Sequence, residues 1–268
     1  MDDPALDLAV NLALSTGILL KDYFNSTELE ASLKSDYSLV TNADRDADQF
    51  IRGRLSEIYP EDIVITEESF VGFPTGTDLA VGNAWIVDPL DGTTNFALGL
   101  HYWGILITRL VKGWPDIGVM YFPMIDELYT ASRDSGARLN NEPFRVPTPK
   151  SRSPVSFFAC CSRTFRQYQV SIPYKVRILG SAAYTICMVA HGAAIVGFEA
   201  APKIWDIAGG WLLINEAGGV IDTFDGSPLF PLNPCINYKE TSIPILCAAT
   251  SDLYTRNRSK LQLKTEMV

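Results

Sequence analysis

Trp85-Ile-Val-Asp-Pro-Leu-Asp-Gly-Thr-Thr-Asn-Phe96 sets two carboxylates between an apolar run and a pair of hydroxyls. Trp85 to Val87 reads as a short buried strand that delivers Asp88 to its end. Pro89 has no N–H for a sheet ladder, so the strand is expected to stop there. Asp91 falls in a capping region, and Gly92, Thr93 and Thr94 open a helix. Free N–H groups at a helix start have the polarity that receives a phosphate. Carboxylates repel a phosphate unless cations lie between them, and Mg²⁺ is the usual choice. Taken alone, Asp-Pro and Asp-Gly are also ordinary turn formers. Two further acidic segments bear on that choice.

Those segments are Glu67-Glu68, after a strand-like Asp62 to Thr66, and Asp206 in Lys203-Ile-Trp-Asp-Ile-Ala-Gly-Gly210. Each has a plain structural reading: Glu67 as a solvated loop charge, Asp206 as the cap of the helix that follows. Burying several carboxylates together without cations costs several kcal/mol each. If the three segments converge, metal ions are the natural compensation.

Upstream, residues 4–24 read as a helix capped by Asp3, with Pro4 in its first turn and Leu6, Val10, Leu14 and Ile18 on its apolar face. Asp44 is expected to cap a second helix whose face is Ala47, Ile51, Leu55 and Ile58. Downstream, residues 101–145 read as strands, with hairpins at Val111-Lys-Gly-Trp114 and Leu139-Asn-Asn-Glu142. Pro147 to Pro154 is the linker candidate, dividing the chain into halves 1–150 and 151–268. Beyond it, strands at 155–160, 176–179, 193–198, 220–224 and 243–249 alternate with helices at 181–191, 206–217 and from Ser251, which implies a covered sheet.

The 268 residues are 47% apolar, enough for a large core, and carry a net charge of −9. That charge argues against a nucleic-acid or anionic-membrane surface. Ile178 to Phe198 is charge-free, but its glycines fit a buried helix and strand better than a membrane span. No signal-peptide pattern opens the chain, and five cysteines without metal-type pairing suit reduced thiols in the cytoplasm. Two histidines leave little material for a His-based triad, and no nucleophile elbow or P-loop is present. Asp44, Asp46 and Asp48 fail as a calcium loop, because Gln49 and Leu55 stand where Gly and Glu are needed. Cys160 and Arg166 have the spacing of a cysteine phosphatase but no glycine between them, so core packing is expected for the cysteines.

In order, the acidic segments resemble the signatures of the inositol monophosphatase family. Trp85 to Phe96 is the first signature, and Trp205-Asp-Ile-Ala-Gly-Gly210 with Glu216-Ala-Gly-Gly219 is the second. Glu67-Glu-Ser69 and Lys34 to Asp44 match two more. The resemblance implies an α+β fold, a layered αβαβα sandwich of the inositol monophosphatase and fructose-1,6-bisphosphatase type. It further implies a cytoplasmic homodimer that hydrolyses small phosphate monoesters with two to three Mg²⁺ ions and is inhibited by lithium. Glu67, Asp88 and the Leu90 carbonyl would hold one ion; Asp88, Asp91 and Asp206 a second; Glu67 would reach a third through water. Gly92 and Thr93 amides would bind phosphate. Glu67 and Thr93 would orient and help deprotonate a water, with Asp44 supporting Thr93. Gly180, Ser181, Ala182, Glu199, Lys203, Asp91 and Asp206 would face the substrate.

Departures bear on the substrate. Lys203-Ile204 replaces the His-Cys of animal members, Ser38 replaces an acidic residue of some, and Gly209-Gly210 is a smaller ending than usual. The expected substrate is inositol 1-phosphate or a related polyol phosphate. Histidinol phosphate, fructose 1,6-bisphosphate and 3′(2′),5′-bisphosphate nucleotides are the alternatives on the same centre. A non-catalytic regulatory protein that keeps the fold is the alternative of another class.

Overall fold

The computed structural model describes residues 3–26, 29–34, 39–148 and 156–264. Ser38 and most of the linker candidate lie outside these residues. Helix α1 (Pro4–Phe24) leads to an antiparallel pair, β1 (Ala31–Leu33) and β2 (Leu39–Thr41), then to α2 (Asn42–Ile58) and β3 (Ile63–Thr66). Strand β4 (Asn83–Asp91) runs into a five-residue helix, α3 (Thr93–Ala97). Strands β5 (Gly104–Val111), β6 (Trp114–Phe122), β7 (Glu127–Ser132), β8 (Gly136–Leu139) and β9 (Glu142–Phe144) follow. The remainder comprises β10 (Phe157–Cys160), α4 (Thr164–Gln167), β11 (Tyr168–Val170), β12 (Lys175–Arg177), α5 (Ala182–Ala190), β13 (Ala194–Glu199), α6 (Ile204–Ala217), β14 (Val220–Thr223), β15 (Ile245–Ala248), α7 (Ser251–Arg258) and β16 (Leu261–Leu263).

Strands β3 to β9 form one sheet in chain order, parallel between β3 and β4 and antiparallel elsewhere. The second sheet runs β12-β10-β13-β15-β14 and is mixed. Helices α1 and α2 cover one face of the first sheet. Helices α5 and α6 fill the space between the sheets, and α7 packs beyond the second. The layers are therefore αβαβα. Both hairpin expectations hold: Lys112-Gly113 and Asn140-Asn141 all have positive φ, as a tight two-residue turn requires. Residues 178–198 become β12's trailing residues, α5 and β13, which accounts for their long apolar run. By length and composition α1 also passes as a membrane span, but it lies with one face on the first sheet.

Three local expectations are corrected. Helix α1 buries Ala5, Ala9, Ala13 and Gly17, while Leu14 and Ile18 are exposed. The cause is close approach: a Cβ on Gly17 would come within 2.6 Å of the Tyr121 ring. Small residues at four-residue spacing, flanked by Leu12 and Leu20, face the sheet in place of Leu14 and Ile18. Thr41, not Asp44, caps α2, and Asp44 is the reciprocal partner one turn in; Ile58 is exposed. Strand β4 does not stop at Pro89. Its β3 pairing ends at Val87, and on the β5 side a bulge separates Asp88 (opposite Leu106) from Asp91 (opposite Gly104). The bulge absorbs the proline's missing donor, so the strand continues to Asp91. Gly92, with φ +85, is the helix cap in place of Asp91; a Cβ there would meet the Tyr102 carbonyl at 2.9 Å.

Candidate active site

The bulge in β4 gathers the acidic residues. The Glu67 amide donates to the Val87 carbonyl at 3.1 Å, one residue beyond the end of β3, which sets Glu67 beside Asp88. Asp88 is buried, and its Oδ1 accepts the Leu90 amide at 3.0 Å. Asp206 comes from the other side of the sheet, in the first turn of α6, where its Oδ2 accepts the Lys203 amide at 2.8 Å. Carboxylate oxygens of Glu67, Asp88 and Asp206 all lie within 4.8 Å of one another. Asp91 sits on the same wall but is not in that trio. Ser181 donates a short hydrogen bond to it, and the Ala182 amide donates at 3.3 Å. The cap of α5 is thereby tied to β4.

A cavity of about 480 Å³ opens over these groups and is also lined by Leu90, Gly92, Thr93 and Gly180. The Thr93 hydroxyl lies 2.9 Å from Asp44 Oδ1 and 3.1 Å from the Leu90 carbonyl. Asp44 is buried and engages Thr41 through its other oxygen, with the Thr41 amide donating at 2.8 Å. A second cavity, about 210 Å³, adjoins the first and is lined by Gly180, Ser181, Ala182, Glu199 and Asp206 among others. Asn95 shapes the boundary by donating to the Tyr102 and Leu179 carbonyls at 2.6 and 2.8 Å. Lys203 lines neither cavity; its backbone holds Asp206.

The electrostatics are those of crowded anions. Burial, then Glu67, Asp206 and Asp91, push Asp88 well above the usual carboxylate range. Burial, then Asp91 and Glu67, do the same to Asp206. Burial lifts Asp91 to about 6 against the hydrogen bonds from Ser181 and Ala182. Burial lifts Glu199 to about 8 against those from Thr185 and Cys161. Among the described residues, the cation paired with this cluster is Lys34, whose Nζ lies 2.7 Å from both Glu67 Oε1 and Glu68 Oε1. Burial pulls Lys34 down, but the two carboxylates outweigh it and hold the ammonium above its ordinary range. Hard oxygen donors that raise one another's proton affinity fit a small divalent cation, which would relieve the repulsion. Glu67, Asp88 and Asp206 are the residues that would hold it.

A family model described as the inositol monophosphatase family matches residues 1–250. The chain belongs to that family. Its similarity to the Nus factor SuhB of Pasteurella multocida (strain Pm70) is 35% identity over 240 residues, covering 84% of this chain and 86% of that protein. The fold is similar to the suhB protein of Bartonella henselae, with a TM-score of 0.76, 28% identity and coverage of 96% and 98% of the two chains. It is likewise similar to the Staphylococcus aureus protein SaIMPase-II bound to 2′-AMP, with a TM-score of 0.72, 25% identity and coverage of 94% and 91%. Membership in the inositol monophosphatase family makes the acidic trio the metal-binding candidate of a metal-dependent phosphatase fold.

Some residues at the site carry no readable sequence signal of their own. Lys34 falls inside a recognised segment, but nothing in the sequence pairs it with residues 33 and 34 positions away. Cys161 is half-buried in the wall of the second cavity, with Sγ 3.3 Å from the Ala200 amide and a hydrogen bond to Glu199. Arg163 lines both cavities. Of the five free cysteines, Cys160, Cys187 and Cys247 pack in the core as expected; Cys161 is half-buried and Cys235 is exposed.

Proposed function

We propose that this protein is a Mg²⁺-dependent phosphomonoesterase acting on inositol 1-phosphate or a related small polyol phosphate. The observation that carries this reading is the convergence of Glu67, Asp88 and Asp206 beneath a cavity walled by Gly92 and Thr93. In this reading Glu67, Asp88 and the Leu90 carbonyl hold one ion, and Asp88, Asp91 and Asp206 a second. Glu67 reaches a third. Bound there, Mg²⁺ supplies a water of lowered pKa and charge compensation for the phosphate and the leaving oxygen. Asp44 does its part by taking the Thr93 hydroxyl proton as a hydrogen bond, which turns a Thr93 lone pair toward the cavity. A water hydrogen-bonded to that lone pair is oriented for in-line attack, and the Glu67 carboxylate is the base beside it. Amides of Gly92 and Thr93 hold phosphate oxygens, and the alcohol half extends along Gly180, Ser181 and Ala182 toward Glu199, with Lys203 near the start of α6.

The same reading includes a cytoplasmic homodimer. Leu98, Leu100 and Ile178 are exposed apolar side chains on loops that Asn95 ties together, and a second copy is what would cover Leu98 and Leu100 in this reading. Lithium sensitivity accompanies the metal centre in this reading. A regulatory role is the second reading, favoured by the name Nus factor carried by the Pasteurella relative.

The test is phosphate release, with and without Mg²⁺, from inositol 1-phosphate, histidinol phosphate, fructose 1,6-bisphosphate and adenosine 3′,5′-bisphosphate. Mg²⁺-dependent release with preference for the polyol ester is expected. No release from any of them by folded, Mg²⁺-loaded protein would favour the regulatory reading.

A further inference from the structure

A buried hydrogen-bonded network beside the site plays no part in that mechanism. Glu127 of β7 accepts the Tyr129 phenol at 2.8 Å and the Tyr184 phenol as well. Tyr129 is fully buried, and Tyr184, in the first turn of α5, is 6% exposed. A buried phenol is costly without a partner, and an apolar side chain could fill the same space with none. What the phenol–carboxylate contact adds is direction: it fixes how α5 is turned against β7. Two sets of contacts lead from Tyr184 to the site, although its side chain lines neither cavity. Its amide donates to Ser181 Oγ at 2.9 Å, and Ser181 in turn donates to Asp91. The hydroxyl has one proton, so the amide on its lone pair sets where that proton points. The Tyr184 ring also stacks on Tyr102, with centroids 5.2 Å apart and planes at 23°. The Tyr102 carbonyl receives Asn95, which binds the Leu179 carbonyl beside Gly180 as well.

Resting on the phosphatase reading above, we infer that Tyr184, anchored by Glu127, is a positioning residue that aims Asp91 at its metal ion. Ser181 and the Ala182 amide each take one Asp91 oxygen. The direction left to the carboxylate is therefore set by the start of α5, and the start of α5 is set by the Tyr184 phenol. Asp91 stands outside the close trio of Glu67, Asp88 and Asp206, so the effect of Tyr184 falls on one ion rather than on the whole centre.

Mg²⁺ binding measured by calorimetry without substrate tests this, together with melting in EDTA and the Mg²⁺ dependence of kcat. The variants are Tyr184→Phe, which keeps the ring and loses the phenol, Glu127→Ala, which removes the acceptor, and Glu127→Gln, which keeps an acceptor oxygen. Groups that hydrogen-bond a metal ligand are worth about 10–100-fold in metal affinity, and Tyr184 is one contact further out, so Tyr184→Phe is expected to weaken one Mg²⁺ site by about three- to tenfold. Glu127→Ala should do the same and Glu127→Gln should keep the native affinity. The double variant Tyr184→Phe/Glu127→Ala should be no weaker than either single one, because both remove the same contact. In each weakened variant kcat should recover as Mg²⁺ is raised. A lower melting temperature with native Mg²⁺ affinity would show a merely structural role and overturn the inference, as would additive losses in the double variant. If Tyr184→Phe does not fold, Glu127→Ala against Glu127→Gln makes the same comparison. A native protein that binds Mg²⁺ but releases no phosphate would strike the phosphatase reading alone; one that binds no Mg²⁺ would overturn both.

Discussion

Asp44 and Asp206 occupy equivalent positions, each in the first turn of a helix with one carboxylate oxygen on the backbone N–H that precedes it. The helix start thus fixes the carboxylate's direction, and the chemistry uses what is left: Asp44 Oδ1 for Thr93, and Asp206 for the trio. The capping role and the functional role are therefore one arrangement, not competing explanations. Glu199 offers a test with a definite sign. Burial lifts its carboxyl from an ordinary 4.5 to about 8. Below the lower value the group is neutral folded or unfolded; between the two, the folded chain keeps a proton that the unfolded chain has lost. Stability must therefore fall as pH rises through that window. Glu199→Gln cannot ionise, so its urea midpoint should gain on that of the native protein from about pH 5 to about pH 8. A difference that stays constant across this range would contradict the burial argument.

At the scale of elements, the site depends on how closely α6 approaches the first sheet. Gly118 of β6 lies against Gly209 of α6, so that a Cβ on Gly118 would fall 3.1 Å from the Gly209 Cα. A Cβ on Gly209 would meet Thr108 Oγ1 at 2.8 Å, and one on Gly210 would meet Ile186 of α5 at the same distance. The Gly209-Gly210 pair, which looked like a minor departure in the sequence, is what lets α6 sit between β6 and α5. Gly209→Val should cost about 1–3 kcal/mol as overpacking and, by displacing α6, weaken the thermal stabilisation given by Mg²⁺. A Mg²⁺-induced rise in melting temperature as large in Gly209→Val as in the native protein would show that the contact does not set Asp206. The other end of α6 is pinned separately, since Glu216 accepts the Asp134 and Gly136 amides at 2.8 Å each. Element types were legible in the sequence because hydrophobic period and turn chemistry are local. Burial faces were less so: α1 shows a larger apolar stripe than the one it buries, and only the closeness of Tyr121 selects the Ala and Gly side. The continuation of β4 past Pro89 was hidden for a similar reason, because a bulge depends on the partner strand.

Across the whole molecule, the acidic groups come from β3, β4 and α6, and no single segment contains the site. Their order along the chain could be read from motifs, but the placement of Arg163 and Cys161 in the cavity walls and the Lys34 clamp arise only when segments distant in the chain meet. The fold keeps several carboxylates together with few cations, which is costly for a protein that does not bind metal. The most direct measurement is Mg²⁺-dependent phosphate release from inositol 1-phosphate by the native protein and by Asp88→Asn, alongside a melting curve of each. Asp88 lies within 4.8 Å of both other members of the trio, and an Asn in its place keeps the oxygen that accepts the Leu90 amide. Asp88→Asn is expected to lower kcat/KM by about 100-fold or more, keep a cooperative melt and lose most of the upward shift in melting temperature that Mg²⁺ gives the native protein. Near-native turnover by a folded Asp88→Asn protein in saturating Mg²⁺ would contradict that expectation.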